Sequence, residues 1–248
     1  MGPTRLYLTT GAQNVQALFR KSASISSDKF ILMVMRGIMA FTPDDLAKFA
    51  NDKTGRLAEP KGGGAAAGHR GRRYWLEFHH NNSRNLSLAA NTDMLTARFY
   101  DIFRERVRDC CPVVGEWQTA NLFGFMRLHM AGAATQALAG SRLLERSGEE
   151  DFLDAFWDYD TVTLRLLYLL PRWMDPTAWR IRERLHRMVV DWVREDFDAL
   201  YEREAVDERE DWHPVLGLRF GRQYLNWGKG IGLSVETRAG YFMGFLLG

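Results

Sequence analysis

Residues 149–170 read EEDFLDAFWDYDTVTLRLLYLL, residues 171–176 read PRWMDP, and residues 177–195 read TAWRIRERLHRMVVDWVRE. The first and third pieces carry helical spacing, and the middle piece is a hinge. Pro171 has no amide hydrogen and disfavours helix in the residue before it, so the first helix is expected to stop near Leu170. Ser147 followed by Glu150 makes a capping-box pattern at its start. In the third piece Ile181, Leu185, Met188 and Trp192 recur at i, i+4, i+7 and i+11, a single apolar stripe. Spacing alone describes an ordinary helical hairpin, and the rest of the chain extends the same pattern in both directions.

A chain of 248 residues, 46% apolar and 26% charged, has material for a sizeable core in one large domain or two small ones. The net charge is +2, and its Lys and Arg residues do not alternate with aromatics, which argues against a nucleic-acid partner. The two cysteines, Cys110 and Cys111, are adjacent and cannot build a disulfide framework, so they read as free thiols in a reducing compartment. Apolar runs such as residues 30–35 fall far short of the ~18 residues of a membrane span. The N-terminal MGPTRLYLTTG lacks the apolar core of a signal peptide. The chain is therefore expected to be soluble or peripheral.

Outside the hairpin, residues 5–10 read as a short strand ended by Gly11, and residues 14–19 as a helix. Thr42 is an N-cap, with Pro43 at the first helical position and Asp44 and Asp45 suited to the dipole. Residues 61–73, KGGGAAAGHRGRR, match neither phosphate-loop pattern and read as a mobile connector. Arg70, Arg72 and Arg73 there are either a solvated basic face or an anion contact. His79 and His80 are a close pair without further metal ligands at suitable spacing.

Asn91-Thr92 is expected to cap a helix with Leu95, Phe99, Ile102, Phe103 and Val107 inward, ended by Cys110-Cys111-Pro112. Residues 117–145 read as one helix whose small residues, 131–140, permit close approach. Arg127, His129 and Gln136 interrupt that run and argue against a membrane interface. Residues 195–211 hold nine acids and two arginines and read as a solvated loop, with residues 212–217 as a connection. Ser234 caps the last helix. The fold class is mostly α, with at least six helices and the short N-terminal strand.

Several of these segments carry a family resemblance. Phe156-Trp-Asp-Tyr-Asp160, an apolar run and Pro171-Arg-Trp173 together resemble the segment between helices F and G of fungal cytochrome P-450 monooxygenases. Thr10-Gly-Ala-Gln-Asn-Val-Gln-Ala-Leu-Phe19 resembles the strand and helix B that open the family's core. Residues 73–84 stand where helix C falls, residues 122–144 resemble helix E, and residues 235–248 resemble the start of helix I. The match is nearest to the group related to oxysterol and bile-acid hydroxylases, and it covers the N-terminal half of the family's fold, helices B to the start of I. It implies one incomplete domain over residues 1–248.

The resemblance implies a haem cofactor, with Trp75 and His79 on its propionate side. Many members carry Trp followed four residues later by Arg at that place, and His79 departs from this pattern. It implies an apolar substrate, such as a sterol, another lipid or a secondary-metabolite precursor, met by Phe242, Phe245 and Leu246 on the inner face of the last helix. It also implies NADPH supplied through a cytochrome P-450 reductase, and the cytoplasmic face of the endoplasmic reticulum membrane, reached through an N-terminal anchor outside this chain. The family's haem-ligating Cys lies in a pattern like F-x-x-G-x-R-x-C-x-G, which neither Cys110 nor Cys111 has. The expectation is a truncated chain: the substrate-recognition half of a haem-dependent monooxygenase, inactive by itself. A non-catalytic helical ligand-binding or interaction module is the alternative.

Overall fold

The computed structural model describes residues 9–20, 27–56, 71–86, 89–110, 115, 117, 119–203 and 206–246. The expected strand at residues 5–10 lies almost wholly outside these residues, as do the connector at residues 62–68 and Cys111-Pro112. Among the described residues the fold is mostly α, as the spacing predicts, with one two-stranded sheet.

The helices in chain order are α1 (Ala12–Arg20), α2 (Asp28–Gly37), α3 (Pro43–Asn51), α4 (Tyr74–Leu86), α5 (Ala89–Cys110) and α6 (Leu122–Phe125). A π-helical turn, Met126–Met130, leads into α7 (Ala131–Ala139), followed by α8 (Arg142–Ser147), α9 (Glu149–Leu167) and α10 (Pro176–Trp192). A second π-helical turn, Val193–Asp198, leads into α11 (Ala199–Arg203). Strands β1 (Trp212–His213) and β2 (Gly217–Leu218) pair antiparallel, Trp212 opposite Leu218, and precede α12 (Arg219–Gly230) and α13 (Val235–Leu246).

Helices α9 and α10 form the expected hairpin and pack along each other. Asp175 caps α10 by accepting the Ala178 amide at 3.2 Å, with Pro176 in the first turn. Of the predicted stripe, Leu185 and Trp192 are fully buried and Ile181 and Met188 pack on their margin. The start of α9 corrects the sequence reading. Ser147 belongs to α8, and Gly148, at φ 75°, turns the chain into α9. The Ser147 hydroxyl is buried with no hydrogen-bond partner among the described residues, so no capping box forms.

Three further readings change. The single helix expected over residues 117–145 breaks at Gly140, whose φ of 77° suits glycine. A Cβ there would stand 2.4 Å from the Val215 carbonyl carbon, because the β1–β2 hairpin presses on the end of α7. Asn91 lies inside α5, not at its start, and is buried. The acidic residues 195–211 do not form a wholly solvated loop: the second π turn and α11 occupy their first part, where Asp196 and Phe197 are buried. Helices α2 and α12 were not anticipated.

Two main apolar clusters divide the core. One joins α8, α9, α10, the second π turn and one side of α13 around Trp192, Phe197 and Phe242. The other is aromatic, with Phe41, Phe49, Trp75, Phe78, Tyr224 and Tyr241, and joins α3, α4, α12 and the other side of α13. Helix α13 is thus the wall between them. Its start is fixed by Ser234, whose hydroxyl accepts the Thr237 amide at 3.2 Å, as the sequence predicts.

Candidate functional site

A cavity of about 590 Å³ opens beside α13 and is walled by α4, α5, α7 and α12. Its lining is largely apolar: Met39, Phe78, Leu95, Leu138, Phe220, Phe245 and Leu246. The helices reach this arrangement because aromatic residues recur on one face of α12, where Phe220 and Tyr224 are one turn apart. Gly244, one turn after Gly240 on α13, keeps the wall low.

The polar groups at this cavity form a small cluster. The rings of Tyr224 and Tyr241 stack with centroids 3.8 Å apart. Both hydroxyls donate to Asn82 Oδ1, the Tyr241 bond at 2.8 Å. Burial pushes the pKa of each phenol far above the ordinary tyrosine value, so both remain neutral donors. Both are spent on one amide oxygen, which fixes that amide's orientation. Asn91 and Thr92 of α5 add polar groups, but most of the wall offers dispersion contacts and shape, the character of a site for an apolar molecule.

The residues singled out from sequence fall in different places. Phe245 and Leu246 line the cavity. Phe242 does not: it is fully buried against Trp192, centroids 5.1 Å apart, on the other side of α13. Trp75 is buried, and its indole N–H donates to the Phe49 carbonyl at 2.9 Å. A propionate contact through that N–H requires it to leave Phe49. His79 is exposed next to His80. Arg72 donates to Glu77 at 3.0 Å and to the Gly230 carbonyl at 3.1 Å, and Arg73 to the Thr54 hydroxyl at 3.2 Å. Asn82, Tyr224 and Tyr241 were missed. The i, i+4 aromatics of α12 signalled Tyr224, whereas nothing in the spacing marks Asn82.

The surroundings of Cys110 do not suit a haem ligand. Its thiol donates to the Val107 carbonyl at 3.3 Å within α5. It opens on a groove whose charged lining is Glu105, Asp109, Glu149, Glu150 and Asp151 against Arg106, itself paired with Glu149, and His129. Carboxylates around a thiol oppose the thiolate that iron ligation needs. Among the described residues no cluster of three His, Cys, Asp or Glu side chains is placed to hold a metal ion, and no helix is long and apolar enough to cross a membrane.

The chain is mostly helical, with an apolar cavity along its last helix. Comparison with known proteins gives the family. Over its whole length, aligned across 255 residues, the chain is 32% identical to the cytochrome P450 monooxygenase calL of Penicillium decumbens, covering 45% of that protein. It is 29% identical over 113 residues to the cytochrome P450 monooxygenase fsoE of Humicola fuscoatra, 43% of this chain and 18% of that protein. No family model and no solved structure matches. The chain is thus a relative of fungal cytochrome P450 monooxygenases, and it spans less than half the length of the curated relatives it matches.

Proposed function

We propose that this chain supplies the substrate-recognition part of a haem-dependent monooxygenase that hydroxylates an apolar molecule such as a sterol, another lipid or a secondary-metabolite precursor. One observation carries the reading: Phe245 and Leu246, singled out as substrate contacts by resemblance, line an apolar cavity in a relative of that family. Haem, when bound, would supply the oxidising chemistry. Its thiolate would come from elsewhere than Cys110. Trp75 and His79 remain proposed for the propionate side, and NADPH would deliver electrons through a reductase at the endoplasmic reticulum membrane. The chain's own part is to desolvate the substrate and hold it against Leu95, Phe220 and Phe245, with the phenol–amide cluster limiting polar contact.

The test is titration of the chain with a fluorescent sterol, in parallel with Leu95→Trp, which places an indole in the cavity. The parent chain is expected to bind saturably and the variant about tenfold more weakly, the loss of roughly one good apolar contact. Equal binding by both would remove the cavity from the site. The monooxygenase reading is tested separately, by product analysis after haem, reductase, NADPH and a polypeptide matching the rest of the relatives' length are supplied. A sterol that binds but is never oxidised there would favour the non-catalytic ligand-binding module.

A further inference from the structure

A second, smaller pocket of about 340 Å³ lies at the turn between α9 and α10, where it meets the end of α2. Leu169, Leu170 and Pro171 form its apolar side, and Arg36, Arg172 and Arg182 also line it, with Glu183 the one carboxylate. Three guanidiniums therefore share the pocket with one acid. Glu183 is already paired with Arg172. Neither Arg36 nor Arg182 makes an ion pair among the described residues.

Arg182 is the unusual member. It is only 8% exposed, with its guanidinium carbon 4.4 Å from the centre of the Trp179 ring. Nη1 donates to the carbonyls of Arg36 and Gly37, both at 3.0 Å, which close the last turn of α2. That capping role is the plain structural explanation, but it uses one of three nitrogens. Nε is buried without an acceptor among the described residues. A buried cation with no carboxylate against it is costly. Burial pushes its pKa below the ordinary arginine value and Arg172 adds repulsion, while Glu183 pulls the other way.

We propose that this pocket binds the carboxylate of an amphipathic ligand, its anionic end held by Arg36, Arg172 and Arg182 and its hydrocarbon chain laid on Leu169, Leu170 and Pro171. A carboxylate matches the planar donor fork of a guanidinium in shape as well as charge. The apolar side gives the tail a place that a free inorganic anion would leave empty. This pocket is separate from the 590 Å³ cavity, and its ligand would bind whether or not the chain serves a monooxygenase.

The experiment is equilibrium dialysis of the chain with decanoate below its micelle concentration, against decanol and inorganic phosphate. Decanoate is expected to bind saturably and decanol about tenfold more weakly, the scale of a lost charged hydrogen bond. Phosphate is expected not to displace decanoate at equal concentration. Arg36→Gln and Arg172→Gln should each weaken decanoate several-fold. Glu183→Gln should tighten it, because Arg172 loses its internal partner, and misfolding cannot produce that gain. Arg182→Gln is not needed, since it also uncaps α2. Decanol binding as well as decanoate, displacement by phosphate, absence of saturable binding, or indifference to Glu183→Gln would each overturn the proposal.

Discussion

Asp45 shows how much one side chain can hold. It sits in the first turn of α3, almost fully buried, and joins that turn to the start of α13. Its carboxylate accepts from Lys48 Nζ at 2.7 Å, from the Ser234 hydroxyl at 2.7 Å and from the Ser234 amide at 3.0 Å. Burial alone would raise its pKa, but these donors outweigh burial and hold it at about 2, against 3.8 for an ordinary aspartate. A lowered pKa stabilises the fold above the unfolded value and loses that effect as pH falls through the folded one. Asp45→Asn should therefore cost about 2 kcal/mol near neutral pH. The gap between parent and variant should shrink from about pH 4 downward and nearly close near pH 2. Urea midpoints of both proteins across that range check it. A gap independent of pH would show that the charge of Asp45 is not what the donors recognise.

At the scale of the element, the second π turn explains both a success and a failure of reading from sequence. The α9–α10 hairpin was legible because Pro171 and Pro176 punctuate it and its apolar stripe repeats at helical spacing. Composition misled over residues 195–211, because it cannot say which acids meet a base. The wider π turn sends Asp196 toward Arg142 at 3.0 Å and toward Arg146, and Asp198 toward Arg238 at 3.0 Å on α13. Those arginines lie 40 to 54 residues away in sequence, so local pattern cannot reveal the pairs. Helix α12 was missed because Gly221, Gly228 and Gly230 lower its propensity, although Phe220 and Tyr224 carried the period. In the candidate site Phe245 and Leu246 line the cavity and Phe242 does not, since period alone does not tell which side of a two-sided helix faces a cavity. Asp196→Ala should cost about 2 kcal/mol, below the full cost of breaking a buried pair because both arginines keep some water. An unchanged urea midpoint would show that this pair does not anchor α8 to the turn.

At the scale of the whole molecule, α13 separates two cores and borders the apolar cavity, while Cys110 stands apart from both in a setting that does not suit a haem ligand. Thiolate ligation needs a sulfur held in a shaped, electropositive setting with hydrogen bonds arranged around it. Cys110 has a different setting: the end of a helix, a carbonyl as hydrogen-bond partner and a groove where five carboxylates outnumber Arg106 and His129. Cys111 lies outside the described residues, so the two thiols are tested together. The 248-residue chain, expressed with haem supplied, is expected to show no thiolate-type red-shifted Soret band when reduced under carbon monoxide. Any haem it takes up should give a spectrum unchanged by Cys110→Ser with Cys111→Ser. A red-shifted band from the parent that disappears in the double variant would make one of these sulfurs the ligand. The acidic groove would then have to rearrange on haem binding, and the substrate-recognition reading would give way to that of a haem-binding unit.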